Sequence, residues 1–329
     1  MRAILVVNPQ ATSTTAGGRD VLAHALASQV KLDVVETDYR GHAMAVARSA
    51  ARDGIDLVVA HGGDGTVNEV VNGLLADAVT SGASPRAGGF ATRAPERGLD
   101  SDPTQIGRVP ALGVVPGGSA NVFARALGIS ADPVEATHQL LNALENDRSH
   151  RVGLGLADGH WFTFNSGLGW DADVVGRVAK RRGKQTTAGL YMRAAVRSYF
   201  RPPLGRPALT IRIPGEEPAE ALTAFVSNTD PWSYLGERPV HLNPGCSFET
   251  GLGLFALNGL GLPTVFKHVR RALATKSNQK GKRLVRHDDL PMIRIDAAEP
   301  VNFQVDGDLV GQRTRVEFFS VPDALTVIA

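Results

Sequence analysis

The segment His61-Gly62-Gly63-Asp64-Gly65-Thr66 packs three glycines, a carboxylate and a hydroxyl into six residues. It follows the apolar run Leu57-Val58-Val59-Ala60 and precedes an amphipathic stretch, Val67 to Leu75, so it reads as strand, glycine turn and helix. Glycines let backbone approach a ligand closely, and a helix start offers unpaired N–H groups and a positive dipole end. An anion, above all a phosphate, is favoured there. Asp64 is the awkward member. A carboxylate repels phosphates unless a cation stands between them or it handles a proton. The same residues also suit a plain βα turn with Thr66 as helix N-cap.

A second unit of this design follows. The run Ala111-Leu112-Gly113-Val114-Val115 leads into Pro116-Gly117-Gly118-Ser119-Ala120-Asn121 and then a helical pattern from Val122 to Leu127, closed by Gly128. The opening segment supplies a third, with a strand at 3–7, a hydroxyl-rich loop from Asn8 to Gly18 and a helix over 19–29. In a parallel sheet these loops meet at the carboxyl ends of the strands, where open α/β sheets bind ligands.

The elements that must hold these loops alternate strand and helix up to about residue 77: strands at 31–36 and 56–60, helices at 43–53 and 66–77. Residues 81–110 are rich in Gly, Pro, Ser, Arg and Asp and read as a mobile surface insertion. Beyond a helix at 133–146 the period becomes two. Strands are expected at 151–157 and 161–165, joined by a hairpin at Asp158-Gly159, and then at 207–213, 221–228, 253–258, 292–296, 301–306 and 313–319. Helices are expected near 174–180, 188–200 and 263–275. The predicted organisation is an α/β domain over 1–148, a mainly antiparallel β-sandwich domain over 149–312, and a tail, 313–329, returning to the first domain.

With 329 residues, 43% hydrophobic content and a net charge of +2, the chain supports two sizeable cores and implies neither disorder nor bulk nucleic-acid binding. The lone Cys246 excludes an intramolecular disulfide and fits a reducing, cytoplasmic compartment. No stretch approaches the roughly 18 apolar residues of a membrane span, so a soluble or peripheral protein is expected.

Five segments, in order, resemble the diacylglycerol kinase catalytic-domain family. They are Asn8-Pro9, His61 to Glu69, Pro116 to Arg125, Phe164-Asn165-Ser166-Gly167-Leu168-Gly169-Trp170-Asp171-Ala172 and Phe303-Gln304-Val305-Asp306-Gly307-Asp308. That family holds soluble bacterial lipid kinases and the sphingosine and ceramide kinases. The resemblance implies a first domain like that of NAD kinases and phosphofructokinases, use of ATP and Mg2+, and transfer of the γ-phosphoryl group to a hydroxyl of diacylglycerol or a related lipid. It implies nucleotide contacts from Asn8, Pro9, Thr37, Gly62, Gly63, Asp64, Gly65, Thr66, Asn68, Gly117, Gly118, Ser119 and Asn121.

Phosphoryl transfer needs phosphates held, their charge offset, and a carboxylate to orient or deprotonate the attacking hydroxyl. Asp64, Asp171, Asp306 and Asp308 are the candidates. Asp308 resembles the last acid of the family's Asp-Gly-Glu element, a proton acceptor, here one methylene shorter. Asp306-Gly307 also suits a hairpin turn, and Asp171 an N-cap for a helix starting near Ala172. Asp64 matches either a Mg2+ contact or the base of the sphingosine kinases. Two departures stand out. Val122 replaces a family aspartate, and Glu249 is the sole acid left where the bacterial enzymes hold a structural Mg2+.

Residues 177–206 carry nine Arg or Lys and 267–286 eight, with no acid in either. An anionic membrane face would attract such blocks at roughly 1 kcal/mol per well-placed cation, although a solvated basic face looks the same. RNA lacks its aromatic-interleaved module here, so no nucleic-acid partner is expected, and a homodimer stays open. The competing functions are an NAD kinase-like or other soluble-acceptor kinase and a catalytically weakened nucleotide-binding regulator. A NAD dehydrogenase is disfavoured, because its nearest fingerprint, Gly251-x-Gly253-x-x-Ala256, lies among strands.

Overall fold

Runs of β-branched and aliphatic residues set three strands of the first sheet, Arg2–Val7 (β1), Leu57–Gly62 (β3) and Ala111–Pro116 (β4), and the more polar Lys31–Glu36 (β2) lies at its edge. The computed structural model describes residues 1–77, 109–179, 193–194, 197–198, 208–274 and 279–329. Two compact units result, Met1–Val152 with Asp323–Ala329, and Gly153–Pro322. The stretch expected as an insertion, up to residue 108, and most of the helix expected at 188–200 lie outside the described residues.

In the first unit the strand order is β4-β3-β1-β2, all parallel. Every residue of β3 is buried, as expected for a strand covered on both faces. Helices Ala16–Ala27 (α1), His42–Arg52 (α2), Asp64–Leu74 (α3), Val122–Ala126 (α4) and Pro133–Glu145 (α5) follow the strands. Parallel neighbours need such crossovers, which collect all four carboxyl ends at one edge. At the chain's end Val327 pairs with Leu112 of β4, and Ile328 N–H donates to Leu112 O at 2.9 Å.

Helix α1 starts three residues earlier than its apolar pattern indicates. Thr15 is its N-cap, accepting from Gly18 N–H at 3.1 Å, so a residue that reads as loop hydroxyl is the start signal. Helices α2 and α3 approach closely because α2 turns Ala43, Ala47 and Ala50 inward and α3 offers Gly73. A Cβ on Gly73 would stand 2.3 Å from Met44 O.

The second unit is mainly antiparallel. Its strands are His150–Ala157 (β5), His160–Phe162 (β6), Asn165–Gly169 (β7), Leu209–Arg212 (β8), Ala219–Ala221 (β9), Thr223–Ser227 (β10), Ser233–Leu235 (β11), Arg238–Val240 (β12), Leu252–Leu257 (β13), Leu284–Leu290 (β14), Met292–Val305 (β15) and Asp308–Val327 (β16). The order β14-β13-β10-β7-β15-β16 branches at β15, whose first half pairs with β8 and whose last residues pair with β7. A register shift between Asp296 and Val301 makes that exchange, so the layers are joined through one strand. Their inner faces share one core, including Phe162, Leu209, Ile211, Leu254, Ile293, Phe303 and Phe318.

Trp170–Ala179 (α6) follows β7, and Leu262–Ala272 (α7) follows β13. Both Asp-Gly pairs turn as type I′ hairpins, with φ of 50 and 75 at Asp158-Gly159 and 45 and 76 at Asp306-Gly307. The run expected at 161–165 breaks at Thr163-Phe164 into β6 and β7. The short pair β11–β12 and the charged strand β14 carry no period-2 signal and were not anticipated. Substituting Gly73→Ala forces α2 and α3 apart, and urea denaturation should register a loss of about 1–3 kcal/mol.

Candidate active site

Three loops meet at the carboxyl edge of the first sheet, and backbone hydrogen bonds bind them together. Gly117 N–H donates to Gly62 O at 2.7 Å, Ser13 N–H to Gly117 O at 2.9 Å and Asn8 N–H to His61 O at 2.9 Å. Thr37 N–H donates to Val7 O at 2.8 Å, bringing the end of β2 to the same edge. The glycines are required by space. None of Gly62, Gly63, Gly117 or Gly118 adopts positive φ, yet a Cβ on Gly118 would lie 2.6 Å from Gly63 Cα. A Cβ on Gly117 would lie 2.8 Å from the buried Thr14 Oγ1, and one on Gly62 2.5 Å from Thr66 Oγ1.

The polar side chains around this contact are fixed. Asn8 Nδ2 donates to Thr66 Oγ1 at 3.0 Å, and Thr12 and Ser119 approach hydroxyl to hydroxyl at 3.4 Å. Asn121, in the left-handed region at φ 49, clasps Gly118 by accepting its N–H and donating to its O, both at 2.9 Å. The amides of Gly117 and Gly118 are therefore already donated within the protein. The expectation that both glycine turns offer amides to a phosphate is corrected here: the second turn supplies close approach and the Ser119 hydroxyl. The first turn differs, since α3 begins at Asp64 on Gly63 with no side-chain cap. Thr66 thus lies within the first turn and is not the N-cap. Gly65 and Pro9 are exposed, and Asn68 is held by Asn72, whose Nδ2 donates to its Oδ1 at 3.1 Å.

Asp64 is half-buried, and its Oδ1 accepts Phe123 N–H of α4 at 3.3 Å. One oxygen therefore serves as a remote cap for a helix whose own N-cap, Asn121, makes no side-chain cap bond. His61 is buried, its Nδ1 3.1 Å from Val115 O, and burial lowers its pKa, so it stays neutral. Among the described residues no three His, Cys, Asp or Glu form a metal-holding group. Asp64 fits the mode in which Mg2+ takes one or two carboxylates and completes its shell with phosphate oxygens and water. Glu249 does not fit a second site. It is exposed in the turn before β13, where its N–H donates to Ser247 Oγ at 3.3 Å.

In the second unit the β15–β16 turn gathers the other acids. Asp306 is buried and accepts four hydrogen bonds, from Thr163 N–H, Thr163 Oγ1, Phe164 N–H and Asn165 N–H at 2.7, 2.8, 3.1 and 3.0 Å. These close the break after β6, so Asp306 is both hairpin turn and clamp, with no oxygen turned to solvent. Burial pushes its carboxyl above the usual range, against the pull of those bonds. Asp308 opens β16 opposite Val305 and is half-buried.

Asp171 is the second residue of α6, so it does not cap that helix. It is buried and accepts Gln304 Nε2 at 2.7 Å. Gly167 passes so close that a Cβ would lie 2.3 Å from Asp171 Oδ2. Burial pushes Asp171 up to about 7, and Asp173 to about 6 although Asn302 donates to it at 2.7 Å. A carboxyl that titrates near neutrality can exchange protons at working pH.

Gln304 is the hub that sequence reading passed over. It donates to Asn165 Oδ1 at 3.0 Å as well as to Asp171, and its Oε1 accepts Gly307 N–H at 2.9 Å. The signal was available in the period-2 pattern of β15. Val301, Phe303 and Val305 face the core, which leaves Asn302 and Gln304 together on the other face.

Residues 2–152 match the model of the diacylglycerol kinase catalytic domain. The match takes in 151 of the 329 residues, so the first unit is similar to the diacylglycerol kinase catalytic domain. A diacylglycerol kinase of Bacillus subtilis is 36% identical over 133 residues, 40% of this chain and 33% of that relative. The chain thus spans about a third of the length of the first curated relatives it matches. A crystal structure of a diacylglycerol kinase from Bacillus anthracis has a TM-score of 0.71 at 23% identity, covering 99% of this chain and 96% of that one. An NAD kinase from Archaeoglobus fulgidus, solved with ATP, reaches 0.52 at 12% identity over 100% of this chain and 94% of that one. Both likenesses are of fold.

Two outcomes follow from this geometry. Gly118→Ala pushes the glycine turns apart, so urea denaturation should find the first unit destabilised by about 1–3 kcal/mol, since a Cβ this close to Gly63 Cα cannot be absorbed by backbone. The second concerns pH. Asp171 ionises near 4 in the unfolded chain and near 7 in the fold. From about pH 4 to 7 the fold holds a proton that the unfolded chain has released, so stability falls as pH rises and levels off above 7. In Asp171→Asn that part of the decline disappears. Thermal midpoints across this range should show the natural protein losing ground to the variant; parallel curves would contradict the assignment.

Proposed function

We propose that this chain is an ATP- and Mg2+-dependent kinase that phosphorylates a hydroxyl of diacylglycerol or a related lipid, acting in the cytoplasm at an anionic membrane surface. The observation that carries this reading is the backbone contact of the two glycine turns, Gly117 N–H to Gly62 O at 2.7 Å, within a diacylglycerol kinase catalytic domain. A cradle too tight for any side chain suits a ligand that approaches main chain, and the uncapped start of α3 suits its negative charge. In this proposal Asn8, Thr37, Thr66, Asn68 and Ser119 line the nucleotide edge, and Asp64 together with phosphate oxygens would hold Mg2+. The ion's chemistry there is to offset phosphate charge.

Asp308 is proposed as the proton acceptor. The lipid hydroxyl oxygen forms a bond to the γ-phosphorus, the bond from that phosphorus to the β–γ bridging oxygen breaks, and ADP departs. The hydroxyl proton passes to the Asp308 carboxylate. Asp171, poised near neutrality and oriented by Gln304, is proposed as a positioning acid, and Asp306 holds the turn that presents Asp308. A nucleotide-binding regulator is the second reading, favoured by Val122, fully buried where the family carries an aspartate.

Label transfer from γ-labelled ATP to a lipid extract tests the proposal. Labelled lipid is expected, with loss by about 10²–10⁴ in Asp308→Asn and retention in Asp308→Glu, which restores the family's longer arm. Asp64→Ala should abolish transfer with the fold intact. Labelled NAD or sugar without labelled lipid would move the chain to a soluble acceptor, and ATP binding with no transfer would favour the regulator.

A further inference from the structure

Helix α7, Leu-Pro-Thr-Val-Phe-Lys-His-Val-Arg-Arg-Ala, is docked by one side only. His268 and Ala272 are buried, and Val265 and Ala272 pack on Phe225, Leu242, Phe255 and Leu257. His268 is pinned by Gln279, its Nδ1 2.8 Å from Gln279 Oε1, and its ring lies edge-on to Phe255. Yet the helix also presents Leu262, Phe266 and Val269 to solvent, 59%, 71% and 43% exposed. At about 100° per residue these three fall within one narrow stripe, adjacent to the docked side. Phe266 is the most exposed large apolar side chain among the described residues. Such a side chain on an ordered helix of a soluble fold marks a surface that something covers.

Charge decides what covers it. Lys267 and Arg270, both exposed, occupy the next band around the helix. Exposed Lys280, Lys282 and Arg283 lie just beyond, in the segment that Arg271 tethers by donating to Lys280 O at 2.5 Å. From Leu252 to Arg286 the sequence contains no Asp or Glu. A second copy meeting this face about a two-fold axis would set these cations against themselves, which disfavours a dimer here. An apolar stripe bordered by Lys and Arg is the pattern of helices that lie in a membrane interface, apolar residues entering the acyl boundary and cations meeting anionic headgroups.

We propose that α7 is an interfacial anchor, with Leu262, Phe266 and Val269 inserting into an anionic bilayer while Lys267, Arg270 and the 280–283 cations bind its headgroups. The anchor rests on the lipid-kinase reading for its purpose, since an acceptor resident in a bilayer has to be met there, but its geometry stands without it.

The test separates the two. The full-length protein is partitioned between buffer and vesicles of phosphatidylglycerol and phosphatidylcholine, and its turnover of detergent-dispersed diacylglycerol is measured in parallel. The natural protein should float with anionic vesicles, fail to float with pure phosphatidylcholine and release as salt rises. Leu262→Ser with Phe266→Ser should weaken partition at least tenfold, and Lys267→Gln with Arg270→Gln should do so while leaving the stripe intact. Turnover of dispersed lipid should be unchanged in both, as these residues lie outside the proposed catalytic machinery. Partition equal in the natural protein and the stripe variant overturns the anchor, as does a dimer in light scattering that Phe266→Ser dissociates. Partition as expected with no lipid turnover in any form would leave the anchor standing and remove the kinase reading.

Discussion

The main-chain hydrogen bond from Gly117 N–H to Gly62 O, with Gly118 stacked on the Gly63 Cα, governs the first unit. It requires β3 and β4 to run parallel and in register, so that Gly62 and Pro116 end together. It also requires that positions 62, 63, 117 and 118 carry no side chain. Ser13 and Asn8 then bond onto the same two turns from the first loop, and the edge becomes one hydrogen-bonded piece. A site built from main chain in this way is set by strand register more than by side-chain identity.

The polar centre of the second unit is built on the opposite plan. Its geometry resides in side chains, and Gln304 joins three of its parts: Asn165 on β7, Asp171 on α6 and Gly307 in the turn. Asp306 accepts four hydrogen bonds from the chain between Thr163 and Asn165. The price of this order is desolvation. Burial of Asp171 and Asp173 outweighs the amide donors that face them, which leaves both acids easier to protonate than free carboxylates.

Most of the fold was legible because its signals are local and periodic. Three strands of the first sheet, β1, β3 and β4, are largely continuous apolar runs, and the Asp-Gly pairs at 158–159 and 306–307 name their own turn type. What escaped has physical causes. Thr15 was hidden in a run of hydroxyl residues that all look like loop. Strand β14 is charged because it lies at the end of the strand order, where pattern is weak. Among the polar residues of the second unit, the acids Asp171, Asp306 and Asp308 stood out in sequence, while Gln304 and Asn302 did not. Amides become conspicuous only when an acid is seen opposite them. The cap alternatives for Thr66 and Asp171 fall away, since both lie inside the first turn of their helices, which changes what their side chains can reach.

The replacement at Val122 acquires a definite meaning from Asp64. Val122 begins α4 and is fully buried, and the next residue's N–H is the one that Asp64 accepts. An aspartate at 122 would place a second carboxylate beside that helix start and would compete for the same positive end. With valine there, Phe123 N–H is donated to Asp64, which fixes one oxygen of that carboxylate. The edge thus holds one anchored carboxylate, Asp64, and one helix start, that of α3, without a side-chain cap.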